Sequence, residues 1–165
     1  MKTRPLYAPL LTLVISLLAA PWLLAQPKPA EADTSEQAIR KAVLETNAKM
    51  TRAANSLDVE TFFSYITDPC VIIQNGTAFK TRQEAMEAVK RGFAGLAKID
   101  RHFDDPQVTV ISPDVALLSC EGSVSATLAD GRTMEGGRFA VSLIFVRKSG
   151  QWKVLHGHYS MPVRM

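Results

Sequence analysis

Apolar residues recur along this chain at two different periods, and the change from one to the other divides it. Ile39, Val43, Met50, Ala53 and Ala54, with Thr46 in phase, return once per helical turn and predict a helix over 35–55. Asp33-Thr34-Ser35-Glu36-Gln37 precedes it and offers a capping box, pairing either Thr34 with Gln37 or Asp33 with Glu36. A second, shorter helix is expected from a cap near Asp58, with Val59, Phe62, Phe63 and Ile66 on or near its buried side. Asp68-Pro69 should stop it, because a residue before proline avoids helical dihedrals. A short apolar strand follows over 70–74, then Asn75-Gly76, which suits a type I′ turn, and a return strand over 77–80. Thr81-Arg-Gln-Glu84 is another capping box, and Ala85, Met86, Val89, Phe93 and Leu96 mark a third helix behind it.

Beyond that helix the period drops to two. Four strands are expected at about 99–111, 115–128, 132–146 and 151–160, punctuated by Pro113-Asp114, Asp130-Gly131 and Ser149-Gly150. Gly136-Gly137 marks a bulge in a strongly bent strand. The order α-α-β-β-α-β-β-β-β therefore predicts an α+β domain whose last four strands form an antiparallel meander, with three helices over one face. Phe139, Val141, Leu143 and Phe145 share one side of their strand, and Leu118, Cys120, Val124 and Ala126 share one side of theirs. These sides should meet the helices. The last strand is mixed on both sides, with Trp152, Val154, His156 and His158 against Leu155, Gly157 and Tyr159. A strand apolar on both sides is usually covered on both, so a homodimer through the outer sheet face is expected, with Trp152, His156 and His158 in it.

The N-terminal segment changes the charge argument. Lys2 and Arg4, the apolar run from Leu10 to Leu24, and Ala30-Glu31-Ala32 have the layout of a secretory leader. Residues 1–25 are assigned to it and 26–34 to a Pro/Ala/charge linker. An uncleaved membrane anchor is the rival, since Leu6 to Ala25 is roughly long enough to span at ~20 apolar residues. A periplasmic or secreted bacterial protein is expected, membrane-bound only if the leader stays. Of 19 basic and 16 acidic residues, Lys2 and Arg4 lie in the leader, which has no acid, so the remainder carries 17 and 16, a net of +1. No basic tract or aromatic–basic interleaving remains, which argues against nucleic-acid binding.

The element order and three segments are similar to a known family. Ser56-Leu-Asp-Val-Glu60 with the aromatic helix behind it, Ser112-Pro-Asp-Val-Ala-Leu-Leu118, and Val146-Arg-Lys-Ser-Gly-Gln-Trp-Lys-Val-Leu-His-Gly-His-Tyr-Ser160 resemble the SnoaL-like branch of the nuclear-transport-factor-2-like superfamily. The last segment also resembles the end of the association domain of calcium/calmodulin-dependent protein kinase II. The resemblance covers residues 35–162. It implies a cone-shaped, curved, mixed six-stranded sheet wrapped around the helices, with a pocket at the open end and frequent dimers. The superfamily holds polyketide cyclases, ketosteroid isomerase, dehydratases and members without catalysis, so function rests on the site. Aligned to ketosteroid isomerase, the general-base position falls near Ile73 and the oxyanion-hole tyrosine near Met50. Neither residue can move a proton, which removes that mechanism.

The family alignment turns Tyr159, Gly157 and Leu155 inward, and puts His156, His158 and Trp152 on the outer face. Tyr159 and Tyr65 are candidate hydrogen-bond donors to a ligand, or amphipathic tyrosines at a rim. His102, in Arg101-His-Phe-Asp-Asp105 near the cone mouth, is a candidate base beside Asp104 or Asp100, or a solvated edge residue. His156, His158 and Glu121 form a two-His-one-carboxylate set on paper, but Glu121 lies two strands away, roughly 10 Å. No metal and no cofactor is expected. In the family's sheet order Cys70 and Cys120 are about three strands apart, roughly 14 Å, beyond disulfide reach, so two free thiols are predicted. The expected function is binding of a small apolar molecule in a cone lined by Leu118, Val124, Phe139, Val141, Leu143 and Leu155. Two alternatives stay open: a small isomerase, cyclase or dehydratase using Tyr159 or His102, and an assembly domain whose cavity its own side chains fill.

Overall fold

Ser35 caps the first helix, its hydroxyl accepting from the Ala38 N–H, and α1 runs Glu36–Asn55. The cap is thus neither Asp33 nor Thr34, and Ser35 begins the part of the chain that the computed structural model describes, residues 35–162. The expected leader and linker lie outside the described residues. Asp58 and Thr81 cap α2 (Val59–Ser64) and α3 (Arg82–Phe93) by the same chemistry, accepting from Thr61 and Glu84 N–H groups. Glu84 also accepts from the Lys80 N–H, which settles a further donor at that helix start. Among the described residues no helix is long and apolar enough to cross a membrane.

Six strands follow in one curved, mixed sheet: β1 (Ile66–Gln74), β2 (Thr77–Phe79), β3 (Leu96–Ser112), β4 (Val115–Leu128), β5 (Thr133–Lys148) and β6 (Gln151–Ser160). Their spatial order is β2-β1-β6-β5-β4-β3, so the last four strands form the expected meander and β1 joins it parallel to β6. The Asn75-Gly76 turn has both residues at positive φ, as a type I′ hairpin requires. Gly136 is the extra residue in β5, between pairs Val124↔Gly137 and Ser125↔Glu135, and it places the predicted bulge.

Two boundaries differ from the sequence reading. Asp68-Pro69 does not end a helix; α2 stops at Ser64, and Pro69 sits inside β1 where the register to β6 shifts between Ile66 and Val71. Proline is tolerated at such an irregularity because no ladder N–H is needed there. Leu96 belongs to β3 rather than α3, because Gly95 at φ +82° reverses the chain directly after the helix.

The core lies between α1 and the concave face of the sheet. Ile39, Val43 and Met50 pack with Leu118, Phe145 and Val154, all nearly inaccessible. The sheet ends at β2 on one side and β3 on the other, and α1 meets the β3 edge with side chains at two points. Arg40 donates to the Val108 carbonyl, and Asn55 bonds the backbone of Arg101. These three edge groups are thereby satisfied without another strand.

A candidate ligand site on the concave face

One irregularity in β6 decides which of its side chains reach the interior. Phe145 pairs with Val154 and Ile144 with His156, leaving Leu155 as a bulged extra residue. A one-residue slip exchanges the two faces of a strand. Trp152 and Val154 therefore point into the core on one side of the bulge, and Gly157 and Tyr159 point inward on the other. This corrects two placements. Trp152, expected on a dimer face, is 7% exposed and belongs to the core, with Arg147 over its ring. Leu155, expected inside, is 37% exposed on the outer side.

Gly157 forms part of the cavity floor. It pairs with Ile72 of β1 and Leu143 of β5, and a Cβ on it would meet Leu143 Cδ2 at 3.1 Å and Ile72 Cδ1 at 3.3 Å. Above this row opens a cavity of about 110 Å³ walled by all three helices and the sheet. Met50 and Ala54 of α1, Phe62 of α2, Val89 of α3, and Ile72 and Leu143 of the sheet supply its apolar surface.

An aromatic row runs along one wall. The Phe139 and Tyr159 rings stack with centroids 4.8 Å apart and 29° between planes, and Phe103 meets Phe139 edge-on at 5.4 Å. Both are favourable ring geometries. Arg101 crosses this row. Its guanidinium carbon lies 5.9 Å from the Tyr159 ring centroid and 5.9 Å from that of Phe93. Alternation explains the placement: Ile99, Arg101 and Phe103 are in phase on β3, and a cation occupies a position whose neighbours face the interior. Among the described residues Arg101 forms no ion pair, and its buried Nε has no hydrogen-bond partner. Burial pulls its pKa below the ordinary value, with the nearby Tyr159 hydroxyl opposing. Burial likewise raises the Tyr159 hydroxyl, and Arg101 pulls it back.

The sequence-predicted residues scatter around this cavity. Tyr159 and Leu143 line it. Leu118 and Phe139 lie deeper, packed rather than exposed to the space. Tyr65 packs against the core from the end of α2, and its backbone carbonyl accepts from the Val154 N–H. His102, one residue out of phase with Arg101, faces outward with a 76% exposed side chain, 3.5 Å from Asp104. Asp104 and Glu121 instead receive Arg138 on that outer face, at 2.5 Å and 3.0 Å. His156 and His158 also lie on the outer side, opposite Ile144 and Ser142. Among the described residues no group of three His, Cys, Asp or Glu side chains is arranged to hold a metal. Cys70 and Cys120 are free thiols, on strands that β6 and β5 separate.

Arg101, Asn47, Thr51 and Gln74 are polar lining residues that sequence reasoning missed. Asn47 is 6% exposed on α1 and lines the cavity, and among the described residues its side-chain amide makes no hydrogen bond. Its signal was available: it sits beside Thr46 and one turn from Val43 and Met50, within the buried arc of the helix. The chemistry of the lining is thus apolar walls, the Arg101 guanidinium, the amides of Asn47 and Gln74, the Thr51 hydroxyl and the Tyr159 phenol. Alternation along β6 turns the His158 ring away, so no carboxylate or imidazole side chain among the described residues projects into the space. Of the lining groups, the Tyr159 phenol is the one able to exchange a proton with a bound molecule.

Comparison with known proteins agrees with this architecture. The SnoaL-like domain family matches residues 43–164. No curated protein matches the chain. A solved candidate dehydratase of the NTF2-like family from Streptomyces avermitilis is similar over 76% of this chain and 97% of its own, at 19% identity and TM-score 0.68. An uncharacterised protein with a cystatin-like fold from Caulobacter vibrioides is similar over 75% and 89%, at 18% and 0.65. A candidate aromatic ring hydroxylase from Novosphingobium aromaticivorans is similar over 74% and 90%, at 18% and 0.67. At such identities these likenesses concern the fold. With the family match spanning most of its length, the chain belongs to the SnoaL-like domain family, and its curved six-stranded sheet shares the fold of the NTF2-like structures.

Proposed function

We propose that this protein is an exported binder of one small, mostly apolar molecule, held on the concave face of its sheet. The observation that carries this reading is the cavity itself: about 110 Å³ of space with largely apolar walls, into which no carboxylate or imidazole side chain among the described residues projects. An apolar cavity of about 150 Å³ takes up benzene, so the space suits a ligand of about one ring. The leader-like segment at 1–25 supports export. On the outer side, exposed Val71 and Leu155 adjoin His156 across β1 and β6, and this surface supports a second copy of the chain packing there.

The test is native mass spectrometry of protein purified from its own host, combined with amide-shift mapping on addition of benzamide, a neutral one-ring probe. The expected result is a dimer mass, with shifts centred on Met50, Ile72 and Gly157. Absence of both a retained small molecule and any benzamide response removes the binding reading. A monomer at all concentrations removes the dimer.

A further inference from the structure

An arginine in an apolar cavity is costly unless something answers its charge. Arg101 reaches the cavity from β3, yet among the described residues it has no ion pair, and its Nε lacks any hydrogen-bond acceptor. The rings of Phe93 and Tyr159 attract its charge at 5.9 Å but supply no acceptor for the N–H groups in the guanidinium plane. Buried donors are paired in nearly all native structures, and an orphan at a cavity wall calls for a partner from outside the fold. The two arginines of β5 show the contrast. Arg138 takes two carboxylates, and Arg147 takes Asp114 at 2.8 Å.

We propose that the ligand is a small organic anion, an aromatic or alicyclic monocarboxylate, whose carboxylate pairs with the Arg101 guanidinium while its ring packs against Met50, Ile72 and Leu143. This rests on the binding reading above and specifies it. One guanidinium balances one negative charge, and its planar fork fits the two oxygens of a carboxylate. A phosphate dianion would leave charge unmatched beside a single arginine, and a phenol would arrive neutral at physiological pH. Two further polar groups complete the recognition. The Asn47 amide, from α1, and the Tyr159 hydroxyl are both free of hydrogen bonds among the described residues, and both line the same space. The phenol stays protonated and so remains a donor to the anion. Water exclusion by the apolar walls strengthens each of these contacts.

The experiment is calorimetric titration of the full chain with benzoate and with benzamide, which share shape and differ in charge. Benzoate should bind about tenfold more tightly or better, the range expected of a charge-assisted contact. Arg101→Met, which keeps the apolar stem and removes the charge, should abolish the preference, retain benzamide binding, and melt no lower than the parent in the absence of ligand. Equal affinity for the two probes overturns the anion assignment and leaves the cavity reading standing. A benzoate preference that survives Arg101→Met overturns it too. Failure of both probes removes the cavity reading and the anion with it. If Arg101→Met does not fold, the parent's ratio of the two affinities still decides.

Discussion

Asn55, the last residue of α1, holds both backbone polar groups of Arg101: its Oδ1 accepts from the Arg101 N–H at 2.9 Å, and its Nδ2 donates to the Arg101 carbonyl at 3.2 Å. β3 is the terminal strand of the sheet, so those two groups have no further strand to pair with. The side chain takes the place of a seventh strand at one point, and it fixes the height at which Arg101 enters the cavity. Asn55→Ala strands a donor and an acceptor in a half-buried place. A loss of about 1–3 kcal/mol in unfolding free energy is expected, at about 1 kcal/mol or more per orphaned group. Urea denaturation measures it, and amide exchange at Arg101 should speed up in parallel. A loss below about 0.5 kcal/mol, the usual size of a surface substitution, would show that water serves the strand edge equally well.

The two periods of the sequence were enough to find the architecture, because each reports burial on one face of a regular element. Element order, the meander, the type I′ hairpin and the bulge at Gly136-Gly137 were all legible from local chemistry. The inner face of β6 was not. Its alternation holds only on either side of Leu155, and nothing in Val154-Leu155-His156 announces an inserted residue, since the bulge is set by pairing with Ile144 and Phe145. Trp152 and Leu155 therefore exchanged sides. Arg101 was hidden for a different reason: beside His102, Asp104 and Asp105 it reads as part of a polar cluster. Only the continued phase with Ile99 and Phe103 separates it from its solvated neighbours. Proximity in sequence favoured His102, and strand alternation placed the two side chains on opposite faces.

Gly122 shows how tightly the wall behind the aromatic row is built. It pairs with Phe139 on β5 and Phe103 on β3. A Cβ there would stand 2.4 Å from Phe139 Cζ and 2.3 Å from the His102 carbonyl oxygen. The Phe139 ring has little freedom to give way, because Phe103 and Tyr159 hold it edge-on and in a stack. The carbonyl belongs to the backbone of β3 and moves only with the strand. Gly122→Ala should therefore cost about 3 kcal/mol, at the upper end of overpacking penalties, and it should displace Tyr159. Thermal melting gives the first quantity, and the ring shifts of Tyr159 report the second. A variant as stable as the parent would mean that this wall is looser than its geometry indicates.

The two thiols and the cavity phenol make stability depend on alkaline pH in a defined direction. Burial raises the Cys120 thiol from 9.0 to about 11, with the Asp104 charge adding to it. Burial also raises Cys70, with Asp68 and Glu84 assisting and Arg82 opposing, and it raises Tyr159. In each case the folded protein holds its proton to a higher pH than the unfolded chain does. Well below pH 9.0 the thiols are protonated in both states and stability is intact; as pH rises through 9.0 towards about 11, the unfolded chain ionises first and the folded state loses ground. Urea midpoints should thus fall between about pH 8 and about pH 10.5, the limb on which the unfolded state binds fewer protons. Cys120→Ala lowers the midpoint at every pH through lost packing, but it should flatten this fall. The same protonation predicts a slow thiol: at about pH 8, a group with a pKa near 11 is about one part in a thousand thiolate, so Cys120 should label with a disulfide reagent far more slowly in folded than in urea-unfolded protein. Equal labelling rates in the two states, or a midpoint that stays level through the alkaline range, would place Cys120 in contact with water rather than against the β4–β5 wall.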